Sequence, residues 1–107
     1  MQRVTLVRYT AKPDHAAENE RLARAVFAEL KQAAPPHIAY GLFRNGMEFI
    51  HLFVNTKDDD AGALLGLASF KAYAEDVADR CEALPEPLRL SVHLLESYGL
   101  AGVMETV

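Results

Sequence analysis

The chain has 107 residues, a formal net charge of −4, half of its residues hydrophobic and 24% charged, the balance of one globular domain spanning residues 1–107. With no basic stripe to neutralise phosphates, this composition argues against nucleic acid as a partner, and no apolar run reaches membrane-spanning length. The single Cys81 excludes an internal disulfide, the opening "MQRVTLVRY" lacks the apolar core of a signal peptide, and a cytoplasmic location is the default expectation.

The first element is a strand over residues 3–11, "RVTLVRYTA", rich in Val, Thr and Tyr and stopped by Pro13. Asp14 is then placed to cap a helix over 15–34, on which Leu22, Val26, Leu30 and Ala33 recur at helical spacing. Pro35 and Pro36 end it. Residues 37–55 hold two strands around Asn45-Gly46, the dipeptide that most strongly signals a two-residue type I′ hairpin. Residues 56–66 are a connector, and Asp58, Asp59 and Asp60 in it fit the cap and dipole of a following helix better than a cation site. That helix covers 68–83, with Phe70, Tyr73, Ala74, Val77, Cys81 and Leu84 on its apolar stripe. "PEP" (85–87) terminates it, the last strand covers 88–98, and the tail 99–107 is free to add a strand or arm to a neighbour.

The order β-α-β-β-α-β is that of a ferredoxin-like α+β fold, a four-stranded antiparallel sheet with two helices on one face. With Asn45 and Gly46 as the loop, Leu42 pairs with Phe49, Tyr40 with His51 and Ile38 with Phe53, all on one side. The other side carries Ala39 and Gly41 against Ile50 and Leu52, small and aliphatic, and is expected to take the helices. In the outer strands Val4, Leu6, Leu90, Val92 and Leu94 then face the helices, although that phase also sends Arg8 there. Thr5, Val7, Tyr9, Ser91, His93 and Leu95 join Tyr40 and His51 on the open side. An apolar face with Ile38, Leu42, Met47, Phe49 and Phe53 needs a cover, and a second copy of the chain is the simplest one.

The opening "VTLVRYTAKPD", the hairpin and "SFKAYAEDV" resemble the dimeric α/β-barrel superfamily, and within it the antibiotic biosynthesis monooxygenase-like domains, over residues 3–98. The resemblance implies a homodimer built sheet to sheet, with a pocket between sheet and helices or at the barrel mouth. It implies several activities: oxidation of phenolic polyketides by O2 without metal or flavin, heme degradation, lactone isomerisation, or none known. Heme-degrading members carry a Trp where Tyr73 stands and a helix histidine where this chain has "RCEAL" (80–84). This chain has no Trp and no His between His51 and His93. The Asn, Trp and Tyr of the cofactor-free oxygenases have no matching trio here.

The candidate catalytic pair is His51 and Tyr40, with His51 a general base or proton shuttle. Tyr9, Arg44, Phe49, Tyr73 and His93 are the candidate binding residues. Each has a plainer reading: a strand histidine held by one hydrogen bond, a helix tyrosine whose hydroxyl reaches water. Two histidines without a third ligand do not make a metal site, so no metal and no cofactor are expected. Cys81, on the apolar stripe, reads as packing. The expected function is a cofactor-independent monooxygenase-like enzyme for a small aromatic or quinone-like organic molecule. The alternative is a non-catalytic small-ligand-binding or stress-response module.

Overall fold

The computed structural model describes residues 2–56, 62–92, 95, 96 and 98. Its elements run β1 (Gln2–Thr10), α1 (Ala16–Ala33), β2 (Ile38–Asn45), β3 (Glu48–Asn55), α2 (Gly62–Leu65), α3 (Ala68–Glu75), α4 (Val77–Arg80) and β4 (Glu86–Val92). The four strands form one antiparallel sheet in the order β2-β3-β1-β4, the ferredoxin-like arrangement expected from the element order. No described helix is long and apolar enough to cross a membrane. His93, the triplet Asp58–Asp60 and the tail 99–107 lie outside the described residues.

The hairpin differs from the sequence expectation by one position. Asn45 pairs with Glu48, so the loop residues are Gly46 and Met47. Gly46 alone has positive φ there, at 62°, which is the type II′ pattern of glycine at the first loop position rather than type I′. Moving the loop by one residue moves each cross-strand partner by two. Tyr40 therefore faces Phe53, Leu42 faces His51 and Ile38 faces Asn55. A shift of two preserves side-chain parity, so the grouping of residues by side survives.

The choice of side is reversed. The helices cover the side with Tyr9, Phe49, His51 and Phe53, each no more than 6% exposed. Tyr9, Phe49 and Phe53 cluster with Ala16, Ala23 and Val26 of α1, Leu64 of α2 and Tyr73 of α3. The aliphatic side is open: Phe43 (55%), Leu52 (38%), Leu88 (52%) and Leu90 (45%) remain exposed on it. Val4 and Leu6 pair with Leu90 and Leu88 there, and Arg8 escapes burial, its Nε donating to Glu48 at 2.9 Å. The reason is chemical. Aromatic side chains bury large ring areas at little cost when their polar tips satisfy one another, and here they do.

Helix α1 has high-propensity residues and two small ones on its contact face. Its buried residues are Ala16, Asn19, Ala23 and Val26, a stripe rotated from the one expected, and Ala33 is exposed. His15, not Asp14, occupies the N-cap, without a side-chain hydrogen bond. Ala34 closes the helix in the left-handed region (φ 48°, ψ 51°), its N–H donating to the Leu30 carbonyl at 2.8 Å.

The second helical region is segmented rather than continuous over 68–83. Asp76, with φ −120°, breaks it between α3 and α4. Cys81 leaves the helix and bridges to Ala11. Strand β4 begins at Glu86, inside the proline pair, which an edge strand tolerates.

Candidate active site

Two rows cross all four strands on the helix side. Leu42, His51, Val7 and Pro87 form one; Tyr40, Phe53, Thr5 and Arg89 form the next. Tyr9 stands two residues beyond Val7 on the same side, and Tyr73 comes down from α3. The strands thus fix three of the polar tips by pleat and register, and the helix supplies the fourth.

These side chains make one hydrogen-bonded network. The Tyr40 hydroxyl meets His51 Nδ1 at 2.8 Å, and the Tyr9 hydroxyl meets His51 Nε2 at 2.9 Å. The Tyr73 hydroxyl lies 2.5 Å from that of Tyr9 and 3.3 Å from His51 Nε2. Asn19 Nδ2 donates to the Tyr9 oxygen at 2.9 Å, and Arg80 Nε donates to Asn19 Oδ1 at 3.1 Å. Arg80, 4% exposed, also donates to the Tyr73 carbonyl and stacks over the Tyr73 ring with its carbon 5.3 Å from the centroid. The His51 ring is flanked by Tyr9, whose centroid is 5.4 Å away.

Burial sets the protonation states. Desolvation pushes His51 down to about 4, so its imidazole is neutral near pH 7. Desolvation raises Tyr9, Tyr40 and Tyr73, so all three phenols keep their protons. A neutral imidazole has one N–H and one acceptor nitrogen, which permits two hydrogen arrangements. In the first, Nδ1–H donates to Tyr40, Tyr9 donates to Nε2 and Tyr73 donates to Tyr9. The Tyr40 O–H is then left over. In the second every bond is reversed: Tyr40 donates to Nδ1, Nε2–H donates to Tyr9, Tyr9 donates to Tyr73. The Tyr73 O–H is then left over. In both, one phenolic proton is unclaimed by the network, at one end or the other.

Both ends reach a cavity of about 320 Å³ between the sheet and α2–α4, within the range of small-molecule sites. Tyr40, His51 and Tyr73 form one polar wall, Arg3, Thr5, Asn55 and Arg89 line the cavity elsewhere, and Val7, Phe53, Leu64, Phe70, Val77 and Pro87 are apolar. Exposed residues, Leu65 and Arg89 among them, also line it, so it communicates with solvent.

Of the residues singled out in the sequence, His51, Tyr40, Tyr9 and Tyr73 come together in this network. Tyr40 and His51 are diagonal neighbours rather than a directly facing pair. Arg44 and Phe49 do not line the cavity. Arg44 reaches Glu20 at 2.8 Å and lies over the Phe49 ring at 5.2 Å, and Phe49 is fully buried beneath it. Asn19 and Arg80 were missed. Asn19 carries a legible signal, a polar side chain at i+3 and i−4 from Ala16 and Ala23 on a small-residue helix face; Arg80 carries none, since only the helix break turns it inward. Cys81 is a buried free thiol whose pKa burial raises, in keeping with packing.

No family model matches the chain, and no curated protein matches it. Solved structures do. Rv0793 from Mycobacterium tuberculosis superposes with a TM-score of 0.77 at 15% identity, over 91% of this chain and 100% of that one. A "putative antibiotic biosynthesis monooxygenase" from Caulobacter crescentus CB15 gives 0.71 at 22% identity, over 86% and 91%. One so named from Nitrosomonas europaea gives 0.71 at 16%, over 85% and 89%. The chain therefore has the ferredoxin-like α+β fold of the antibiotic biosynthesis monooxygenase-like structures.

Proposed function

We propose that the protein is a cofactor-independent monooxygenase-like enzyme, cytoplasmic and homodimeric, acting on a small aromatic or quinone-like molecule. The observation that carries this reading is the Tyr40–His51–Tyr9–Tyr73 network with both ends at a solvent-connected apolar cavity. An aromatic ring fits the apolar walls, and its acidic group would meet the polar one.

His51, held near 4, is a poor stand-alone base at neutral pH; it serves as a relay. A substrate proton passes to the Tyr73 oxygen, and the Tyr73, Tyr9 and Nδ1–H protons each shift one bond along. Tyr40 releases its proton back into the cavity. The first hydrogen arrangement becomes the second, with neither imidazolium nor tyrosinate left behind. For an activated ring CH2, the carbanion so formed joins O2 as a peroxide, which takes the proton back. Loss of water then leaves a ring carbonyl, so one oxygen atom enters the product and the other becomes water. The protein supplies positioning and proton transfer.

The open sheet face supports the homodimer. Phe43, Leu52, Leu88 and Leu90, 38–55% exposed, make an apolar surface that a second copy would cover by two-fold symmetry. The binding-module alternative draws on the same hydrogen-bonded network, which holds its shape without turning anything over. Oxygen uptake with an anthrone separates the two. Turnover by the native protein, reduced about 100-fold in His51→Ala with the dimer intact, is the expected result; undiminished turnover in that variant overturns the relay, and no turnover with any activated phenol favours the binding module.

A further inference from the structure

The cavity has a second polar end. Arg89 of β4 lines it, and so does Arg3 of β1, which is already engaged in a contact of its own. The register says where this end lies. Arg89 stands in the same row as Tyr40, separated from it by Phe53 and Thr5. Three strand spacings put their backbones about 14 Å apart. Arg3 pairs with Ser91 and so sits diagonally beside Arg89 on the same side of the sheet.

We infer that the cavity takes an aromatic acid: a flat ring system whose reacting edge meets Tyr40, His51 and Tyr73, and whose carboxylate meets the guanidinium of Arg89. The inference rests on the proposed function for the role of the first end and adds the class of molecule. Arginine suits this task because its planar fork donates two parallel hydrogen bonds to a carboxylate. Side chains that stand off the same face keep about the same lateral separation as their backbones, which, less a hydrogen bond at each end, leaves room for a carboxylate on two fused rings. The floor between the ends is apolar at Val7 and Phe53, with the Thr5 hydroxyl next to Arg89 as a second donor for the same carboxylate.

Calorimetric titration of the intact protein with 2-naphthoate and with 2-acetonaphthone, its uncharged analogue of similar shape, tests this without any turnover. The expected result is naphthoate binding about tenfold tighter than the ketone or better. That preference should fall to threefold or less in Arg89→Met, with ketone binding unchanged, and should weaken with added salt. Equal binding of the two probes, binding of neither, or a preference that survives in Arg89→Met overturns the inference. Its failure is distinct from failure of the oxygenase reading. A carboxylate preference without oxygen uptake leaves the subsite standing and removes the chemistry, whereas uptake with neutral phenols alone does the reverse.

Discussion

Tyr40 and His51 share a hydrogen bond of 2.8 Å although their backbones are not partners: Tyr40 faces Phe53, and His51 faces Leu42. The contact is diagonal, made by the reach of the phenol along the sheet. Tyr9 occupies the other imidazole nitrogen from the neighbouring strand. The two contacts differ in consequence. The Tyr9 hydroxyl also serves Asn19 and Tyr73, whereas among the described residues Tyr40 serves His51 alone. Tyr9→Phe should therefore destabilise the fold by about 1–3 kcal/mol, and Tyr40→Phe by about 0.5–1.5 kcal/mol. Urea unfolding of the two variants checks the order.

The buried imidazole makes stability depend on pH. His51 is held at about 4, below the value near 6.5 of an unfolded chain. Between those values the unfolded state binds a proton that the folded state refuses, so stability rises with pH through this window. The contribution is complete above about pH 6.5 and is lost as pH falls toward 4, amounting to about 3 kcal/mol. Urea midpoints measured from pH 4 to 7 should show this slope, and His51→Gln should flatten it.

Among the described residues two backbone positions have positive φ, and they predict opposite results. Gly46, at 62°, opens the hairpin loop, and Gly46→Ala should cost about 1 kcal/mol. Ala34 sits in the left-handed region with a side chain it would do better without, so Ala34→Gly should be stabilising by a few tenths to about 1 kcal/mol. Thermal melts of both variants read the two signs.

The open face yields a test of assembly. Leu52 and Leu6 pair at the centre of that face, with Leu88 beyond Leu6. Leu52→Glu would place one charge in each half of a symmetric interface. Sedimentation should show dimers of the native chain and monomers of the variant, with the secondary structure retained.

Element order, the hairpin and the grouping of residues by side were legible because turn chemistry and strand alternation are local. The side facing the helices was not. Reading Ala39, Gly41, Ile50 and Leu52 as the helix-facing surface rests on their small, aliphatic side chains, which a helix can approach closely, and leaves the polar tips of Tyr40, His51 and Tyr9 for the open side. Their mutual hydrogen bonds, which make burial inexpensive, join strands and helix at long range and have no local signature. Arg8 was the one local hint, since the observed phase keeps it exposed and the expected one would bury it. The break at Asp76 was equally silent: the apolar spacing of Tyr73, Val77 and Cys81 runs through it undisturbed, and only the structure sends Cys81 to Ala11 and Arg80 to Asn19.

The most direct measurement is the rate of oxygen uptake with an anthrone at pH 7.5 in Tyr40→Phe and Tyr73→Phe, each compared with the native chain. A relay needs both phenolic ends, so each variant should lose about 100-fold in kcat while His51 and the cavity stay in place. Native rates in both variants would contradict it, because a proton path that survives the loss of either end does not run through this network.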